Sequence, residues 1–284
     1  MSRLLPRRAS LAPYTPPSTA LPVGDLPGWT QIVADDFNYT YPLGSITPDG
    51  SGELTVGSPA YAELHTKFSF YPDTWNSSWG GKAGTDTSGN AVTIQAKYYP
   101  SKTIYFENSC AKIYHHSESI GGVMTALGAT MKPKNPSGTY NFGPYMRWQF
   151  RMRATGVTAS PSYFHWVPLG IDSNNWPSNG ELDWPEGDIA SPVAGNYHPA
   201  AATNITQHVN SGEDPSGWNI FTVEWTPGSM KWWVNSALRL NTTDRVPTGP
   251  MAFLFQHETT NTQPDPATVG TVEIDWIAMW NYAP

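Results

Sequence analysis

Apolar and polar residues alternate along several short segments of the chain, and glycine, proline and asparagine separate these segments. The segment 146–153 places Met, Trp and Phe side chains on one face and Arg and Gln side chains on the other. The segments 92–98 and 272–278 alternate in the same way, each as one predicted strand. A period of two residues is typical of β-strands that bury one face.

The segment 221–235 predicts a β-hairpin. Phe221, Val223 and Trp225 alternate, a turn is expected at Pro227-Gly228, and a second strand follows. Helical periodicity is nearly absent, and no repeat of fixed length is found. The chain is therefore predicted to be all-β and antiparallel, a sandwich or barrel that is most simply one curved jelly roll.

Composition narrows the class of protein. The chain has 284 residues, of which 13% are aromatic and 14% charged, which fits a folded domain with a large core rather than a disordered chain. Its net charge of −7 argues against nucleic acid as the main partner, because phosphate binding needs a basic surface. No apolar run approaches the roughly 18 residues of a membrane span. The single cysteine, Cys110, excludes an intrachain disulfide.

Residues 1–27 differ from the rest of the chain. This segment contains three arginines and six prolines but no continuous apolar stretch, so it is not recognisable as a signal peptide. We predict an extended arm over 1–27 that docks on another chain or assembly, and one β-sandwich domain over 28–284.

Three carboxylates are crowded into the stretch NGELDWPEG, at 179–187. On a strand, Glu181 and Asp183 share one face, whereas Leu182 and Trp184 point into the core. Simple alternation would bury Glu186, and an unpaired buried carboxylate is costly. A β-bulge adds one residue and restores Glu186 to the acidic face, and the adjacent proline is typical of bulges and sheet edges.

Such a cluster suits acid–base chemistry, because neighbouring carboxylates raise one another's pKa. A retaining glycosidase needs one ionised carboxylate as nucleophile and one protonated carboxyl as acid, about 5–5.5 Å apart. The spacing alone also fits a solvated acidic turn or a calcium loop.

The stretch NGELDWPE resembles the ExDxxE signature of family 16 glycoside hydrolases, in the form of the laminarinase-like members with a β-bulge. Other segments resemble that family in the same order along the chain, namely VADDFN at 33–38, GPYMRWQFRMRAT at 143–155, SYFHWVPLG at 162–170, NNWPSNGELD at 174–183, WNIFTVEWTPGSMKWWVN at 218–235 and VEIDWIAMW at 272–280. The resemblance covers the chain from about Trp29 to its end. It implies a concanavalin- or laminarinase-like jelly roll with a concave substrate cleft.

The resemblance also implies roles for individual residues. Glu181 is expected to be the nucleophile, Asp183 its assisting acid and Glu186 the acid/base. Side chains expected to contact substrate are Trp166, Trp176, His165, His198 and Gln256. Packing of the two tryptophans in the core is the competing interpretation.

No cofactor is expected for catalysis. Asp275 matches a position that in many members of the family helps to bind a structural Ca²⁺, and the competing interpretation is an ordinary strand carboxylate.

The predicted function is an endo-acting, retaining hydrolase of a β-linked polysaccharide. A β-1,3- or mixed-linkage glucan is favoured and a galactan is the alternative substrate, while the low Lys+Arg count disfavours a strongly anionic, sulfated one. The alternative function is a carbohydrate-binding adhesin, or a virion or tail component, on the same fold with weak or no hydrolysis. The expected location is extracellular, or in a virion or cell-surface assembly.

Overall fold

A computed structural model of the protein describes residues 19–172, 174–201 and 207–284. Two short helices interrupt a β-structure, α1 (Tyr61–Leu64) and α2 (Pro100–Thr103). The strands are β1 (Trp29–Asp35), β2 (Phe68–Phe70), β3 (Ala83–Asp86), β4 (Ala91–Thr93), β5 (Ala96–Tyr98), β6 (Ile104–Glu107), β7 (Cys110–Ile120), β8 (Val123–Pro133), β9 (Asn141–Phe142), β10 (Met146–Thr155), β11 (Phe164–Ile171), β12 (Glu181–Asp183), β13 (Gly187–Asp188), β14 (Ala194–His198), β15 (Gln207–Asn210), β16 (Asn219–Thr226), β17 (Ser229–Val234), β18 (Ala237–Thr242), β19 (Met251–Thr259), β20 (Thr262–Gln263) and β21 (Gly270–Tyr282). No helix among the described residues is long and apolar enough to cross a membrane.

The strands form two layers. The front sheet runs in the order β2, β8, β19, β11, β12 with β13, β14 and β15. The back sheet runs from β21 through β10, β16 and β17 to β18, with β1 and β7 on the other side of β21. The long strand β7 pairs with β21 and then with β8, so it connects the two layers. The prediction of an all-β, largely antiparallel jelly roll is confirmed.

The core lies between the inward faces of the two sheets. Trp148 of β10 packs on Phe253 of β19, with ring centroids 5.4 Å apart. Trp166 of β11 meets Phe221 of β16 edge-on at 6.4 Å. These contacts bury large aromatic side chains from both layers, and such burial is the main source of stability in a sandwich of this size.

The alternating segments become strands with one exception. The hairpin prediction is confirmed, with β16 and β17 paired from Phe221↔Val234 to Thr226↔Ser229. The prediction of one strand over 92–98 is wrong. The backbone N–H of Ile94 donates to the backbone oxygen of Lys82, and that of Gln95 donates to the side chain of Gln263. As a result β4 pairs with β3 in a small separate sheet, whereas β5 pairs with β8.

Residues 1–18 of the predicted N-terminal arm lie outside the described residues. The remainder, 19–27, lies against the back sheet: the indole N–H groups of Trp276 and Trp280 donate to the backbone oxygens of Thr19 and Gly24, each over 3.0 Å. Leu21 and Leu26 pack around Trp29 and Trp280. The domain boundary at 27/28 stays a prediction.

Candidate active site

The strand β12 carries two of the three predicted acids. On β11, Leu169 pairs with Asp183 and Trp166 pairs with Gly187. Three steps along β11 therefore face four steps along the partner, so one extra residue lies between Asp183 and Gly187. The predicted β-bulge is present at this point.

The apolar residues of this strand anchor it in the core. Leu182 and Trp184 are fully buried. The ring of Trp184 stacks on that of Trp232 at 5.4 Å, and its indole N–H donates to the backbone oxygen of Trp233 over 2.8 Å. Because neighbouring residues of a strand point to opposite faces and Leu182 and Trp184 point into the core, Glu181 and Asp183 must point to the outer face of the front sheet.

Glu181 is held by a tryptophan from the preceding loop. The indole N–H of Trp176 donates to Glu181 Oε2 over 2.8 Å, although the Trp176 side chain remains 51% exposed. Burial raises the pKa of Glu181 to about 7; the Trp176 hydrogen bond opposes this shift, and the negative charge of Glu186 adds to it. Glu181 therefore titrates near neutrality.

Asp183 is the most deeply buried of the three acids. Burial raises its pKa well above the usual range, and the charges of Glu181 and Glu186 raise it further. Its Oδ2 lies 3.2 Å from Nε2 of His198, whose own pKa is lowered, mainly by burial. The two pKa shifts oppose an ion pair at this contact, because burial disfavours the charged form of each group.

Glu186 lies beyond the bulge between two polar side chains. The amide of Asn196, on β14, donates to Glu186 Oε2, and the Asn196 oxygen accepts from Nδ1 of His208 over 3.0 Å. On the other side, His165 Nε2 lies 3.8 Å from Glu186 Oε1. Asn196 also pairs with Asp183 in the sheet, so the bulge brings all three acids to one face.

The chemistry of this face is that of carboxylates in different environments. Burial raises the pKa of Asp183 well above its usual range, and Glu181 titrates near neutrality. Glu186 has an amide donor and an imidazole beside it. Donor atoms of Glu181, Asp183 and His198 also lie within 4.8 Å of one another, a spacing that would suit a metal ion. Raised carboxyl pKa values disfavour a cation there, since metal binding needs deprotonated ligands.

Comparison with solved structures identifies the architecture. A non-specific endo-β-1,3(4)-glucanase from family 16, SCLam, aligns with a TM-score of 0.62 over 94% of this chain and 94% of its own, at 16% identity. A variant of LamA from Zobellia galactanivorans, solved in complex with laminaritriose and laminaritetraose, aligns with a TM-score of 0.60 over 89% of this chain and 99% of its own, at 14% identity. The fold is that of the family 16 glycoside hydrolases. The resemblance seen in the sequence is thus confirmed for the fold.

Sequence comparison reaches less of the chain. The β-glucanase of Bacillus subtilis is 29% identical over 114 residues, which are 39% of this chain and 45% of that protein. The chain thus spans about half the length of this curated relative. No protein-family model matches the sequence.

Only some of the residues that were predicted to contact substrate lie beside the three carboxylates. Trp176, His165 and His198 reach the carboxylates, as described above. Gln256 lies two strands from β12 and donates to Glu258 Oε1 over 3.2 Å. The prediction of substrate contact for Trp166 is wrong: its ring is fully buried in the core, because alternation along β11 sends His165 outward.

The residues around Asp275 do not fit a calcium site. Asp275 Oδ2 accepts from Arg151 Nη1 over 2.5 Å, so a guanidinium neutralises the carboxylate. Ca²⁺ takes about six to eight oxygen ligands, and among the described residues Asp275 belongs to no group of three metal-ligating side chains. The structural calcium remains a prediction without local support.

Sequence reasoning missed several residues of the front face. Tyr71 packs on the apolar residues of β11 and β19 at this face, with Trp75 and Tyr98 around it at ring distances of 5.7 and 5.0 Å. Lys132 lies beneath Tyr71 and Tyr140. The alternation of Lys132 with the core residue Met131 would have indicated that Lys132 faces outward.

Proposed function

We propose that the protein is an endo-acting, retaining glycoside hydrolase of a β-linked polysaccharide. The observation that carries the proposal is the bulge between Asp183 and Gly187, which brings Glu181 and Glu186 to one face on the two sides of Asp183. A strand that served only stability would gain nothing from three mutually repelling, partly buried carboxyls.

In the first step, a Glu181 oxygen attacks the anomeric carbon while the glycosidic C–O bond breaks. Glu186 gives its proton to the departing sugar oxygen. In the second step, the Glu186 carboxylate takes a proton from water, the water oxygen bonds to the anomeric carbon, and the Glu181 carboxylate leaves. The sugar keeps its original anomeric configuration because it is inverted twice.

The neighbouring side chains support these roles. The Trp176 N–H favours the ionised, nucleophilic form of Glu181. Asp183 lies between the two glutamates along the strand, and burial favours its neutral form, which adds no negative charge to the cluster. When the sugar esterifies Glu181, the negative charge beside Glu186 disappears, and the ionised Glu186 carboxylate that remains after the first step can accept the proton of the attacking water.

The substrate that we propose is a β-1,3- or mixed-linkage glucan, with a galactan as the alternative. The similar proteins are named as β-glucanases or endo-β-1,3(4)-glucanases, and one binds laminari-oligosaccharides. Such polysaccharides lie outside cells, so we place the protein in the extracellular space or in a cell-surface or virion assembly.

The test is the release of reducing ends from laminarin, mixed-linkage β-glucan and agarose by wild type, Glu181→Gln and Glu186→Gln. We expect release by wild type and a loss of several orders of magnitude in both variants. Lys231→Gln, on the back sheet, is the matched control and should leave the rate unchanged. Binding to a glycan without release by the wild type would contradict hydrolysis and indicate an adhesin.

The two glutamates are distinguished with an activated aryl β-glucoside and sodium azide. Glu181→Ala should yield an α-glycosyl azide, because azide attacks the face that the nucleophile has vacated. Glu186→Ala should yield the β-glycosyl azide from the covalent intermediate. The opposite assignment of products would exchange the two roles.

A further inference from the structure

Lys132 is a buried cation on the open face of the front sheet. The residue is only 5% exposed, and it forms no ion pair within the described parts of the chain. Its ammonium lies 4.1 Å from the ring centre of Tyr140 and 5.1 Å from that of Tyr71. Lysine is seldom buried without a partner carboxylate, because removing its charge from water is costly.

The surroundings of Lys132 offer further donors. Ser69 pairs with Lys132 across β2 and β8, and its buried hydroxyl has no hydrogen-bond partner among the described residues. Thr130, two residues along on the same face of β8, has a buried hydroxyl in the same condition. Hydrogen-bond donors therefore surround Lys132 on this face of β2 and β8 without a carboxylate among them, and an ammonium in such surroundings suits an anion.

The charges nearest this site leave it positive. Lys134 and Glu53 neutralise each other in an ion pair, so the charge of Lys132 is not compensated. Burial lowers the pKa of Lys132 to about 8; the charge of Glu53 opposes this shift and that of Lys134 adds to it. An incoming anion would stabilise the ammonium form.

The position of Lys132 relates it to the carboxylates. Lys132 lies on β8 at the level of Leu254 on β19. Leu254 pairs with Leu169, and Leu169 pairs with Asp183, so three strand spacings separate Lys132 from Asp183. That is about 14 Å along the direction that crosses the strands, a distance that a few linked sugars span.

We propose that Lys132 binds one anionic substituent of the polysaccharide, a carboxylate or a sulfate, a few sugars from the bond that is cleaved. The tyrosine rings beside the ammonium suit the apolar face of the sugar that carries the substituent. The substrate is therefore a β-glycan with occasional charged residues, an inference that rests on the proposed function. A single lysine suits sparse charge and not a densely sulfated chain.

The test measures binding, so it does not depend on turnover. Affinity electrophoresis compares three gels that contain laminarin, partially C6-oxidised laminarin or laminarin sulfated to the same degree. The proteins are wild type, Lys132→Met, Lys132→Arg and the back-sheet control Lys231→Met. Reducing-end release is measured in parallel, and thermal unfolding confirms that each variant is folded.

We expect wild type to bind at least one charged laminarin roughly tenfold more tightly than neutral laminarin. Lys132→Met should lose this preference, Lys132→Arg should keep part of it, and Lys231→Met should keep all of it. Preference for the oxidised polymer assigns a carboxylate, and preference for the sulfated polymer assigns a sulfate ester.

Equal binding of neutral and charged laminarin by wild type, or a preference that survives in Lys132→Met, would overturn the inference. Binding to none of the three polymers would also count against it. Absence of hydrolysis with an intact, Lys132-dependent binding preference would refute the proposed function but leave this inference standing.

Discussion

The indole N–H of Trp176 donates to Glu181 Oε2 over 2.8 Å, and it is the contact that opposes the raised pKa of this carboxyl. Burial drives the pKa of Glu181 upward to about 7. Because Glu181, as the proposed nucleophile, must be ionised, activity is expected to fall as the pH drops below neutrality. The position of this acid limb therefore reports on the Trp176 contact.

Trp176→Phe should move the acid limb of kcat/KM to higher pH. Loss of a hydrogen bond worth about 1 kcal/mol corresponds to roughly half to one pH unit. The measurement is kcat/KM on laminarin from pH 5 to 9. The pH at the midpoint of the acid limb, and not the maximal value of kcat/KM, tests the prediction. Trp218→Phe, on the back sheet, is the control. A limb that stays in place would show that the contact does not tune Glu181.

Two buried histidines predict acid sensitivity of the fold. His115 and His257 lie 5.7 Å apart in the core, and none of their ring nitrogens has a hydrogen-bond partner among the described residues. Burial, with smaller contributions from the nearby His116 and His165, lowers the pKa of His115 to about 3. The unfolded chain binds a proton at His115 more readily than the folded chain does. The contribution of His115 to the free energy of unfolding is therefore fully present above pH 6.5 and is lost as the pH falls toward 3.

For His115 alone, the loss between pH 7.5 and 5 is on the order of 2 kcal/mol. His115→Leu removes this titration, so its free energy of unfolding should gain about that much relative to wild type over the same interval, whatever its stability at pH 7.5. Urea unfolding at the two pH values measures the difference. A difference between wild type and His115→Leu that is the same at both pH values would refute the prediction.

The strand β12 depends on a glycine in the neighbouring strand β14. A Cβ at Gly195 would lie 2.5 Å from the ring of Trp184 and 2.6 Å from the backbone oxygen of Asp183. Gly195→Ala should therefore push on the bulged strand from the core side, lowering the free energy of unfolding by about 1–3 kcal/mol and reducing turnover. Gly143→Ala, where a Cβ would meet nothing within 4 Å, is the matched control. Equal free energies of unfolding for the two variants would contradict the prediction, because they would show that β12 accommodates the added methyl group without destabilisation.

The segment 19–27 should stabilise the domain. Its backbone accepts hydrogen bonds from Trp276 and Trp280, and Leu21 and Leu26 cover apolar surface of the back sheet. Deletion of 1–27 should lower Tm by several degrees relative to deletion of 1–18, because two buried indole N–H groups lose their acceptors. Calorimetry of both truncations checks this. Size-exclusion chromatography of the same proteins tests whether the arm also mediates assembly.

The local pattern of this sequence predicts much of the fold and the three acids of the candidate site. Alternation predicted the strands around Trp148 and Phe221, and the phase break at Pro185 predicted the bulge, because strand phase and side-chain direction depend only on near neighbours in the chain. The grouping of Glu181, Asp183 and Glu186 on one face follows from the same local rule.

Packing of the sheets, rather than local sequence, fixes which distant strands adjoin and which face of β11 is buried. The ring of Trp166 is buried against Phe221 of the back sheet. The strand predicted over 92–98 is interrupted because Ile94 and Gln95 donate their backbone N–H groups to Lys82 and Gln263. Lys132 lies three strands from Asp183, a proximity created by pairing between residues far apart in sequence. Contacts of this kind depend on how the sheets pack, and no short stretch of sequence records them.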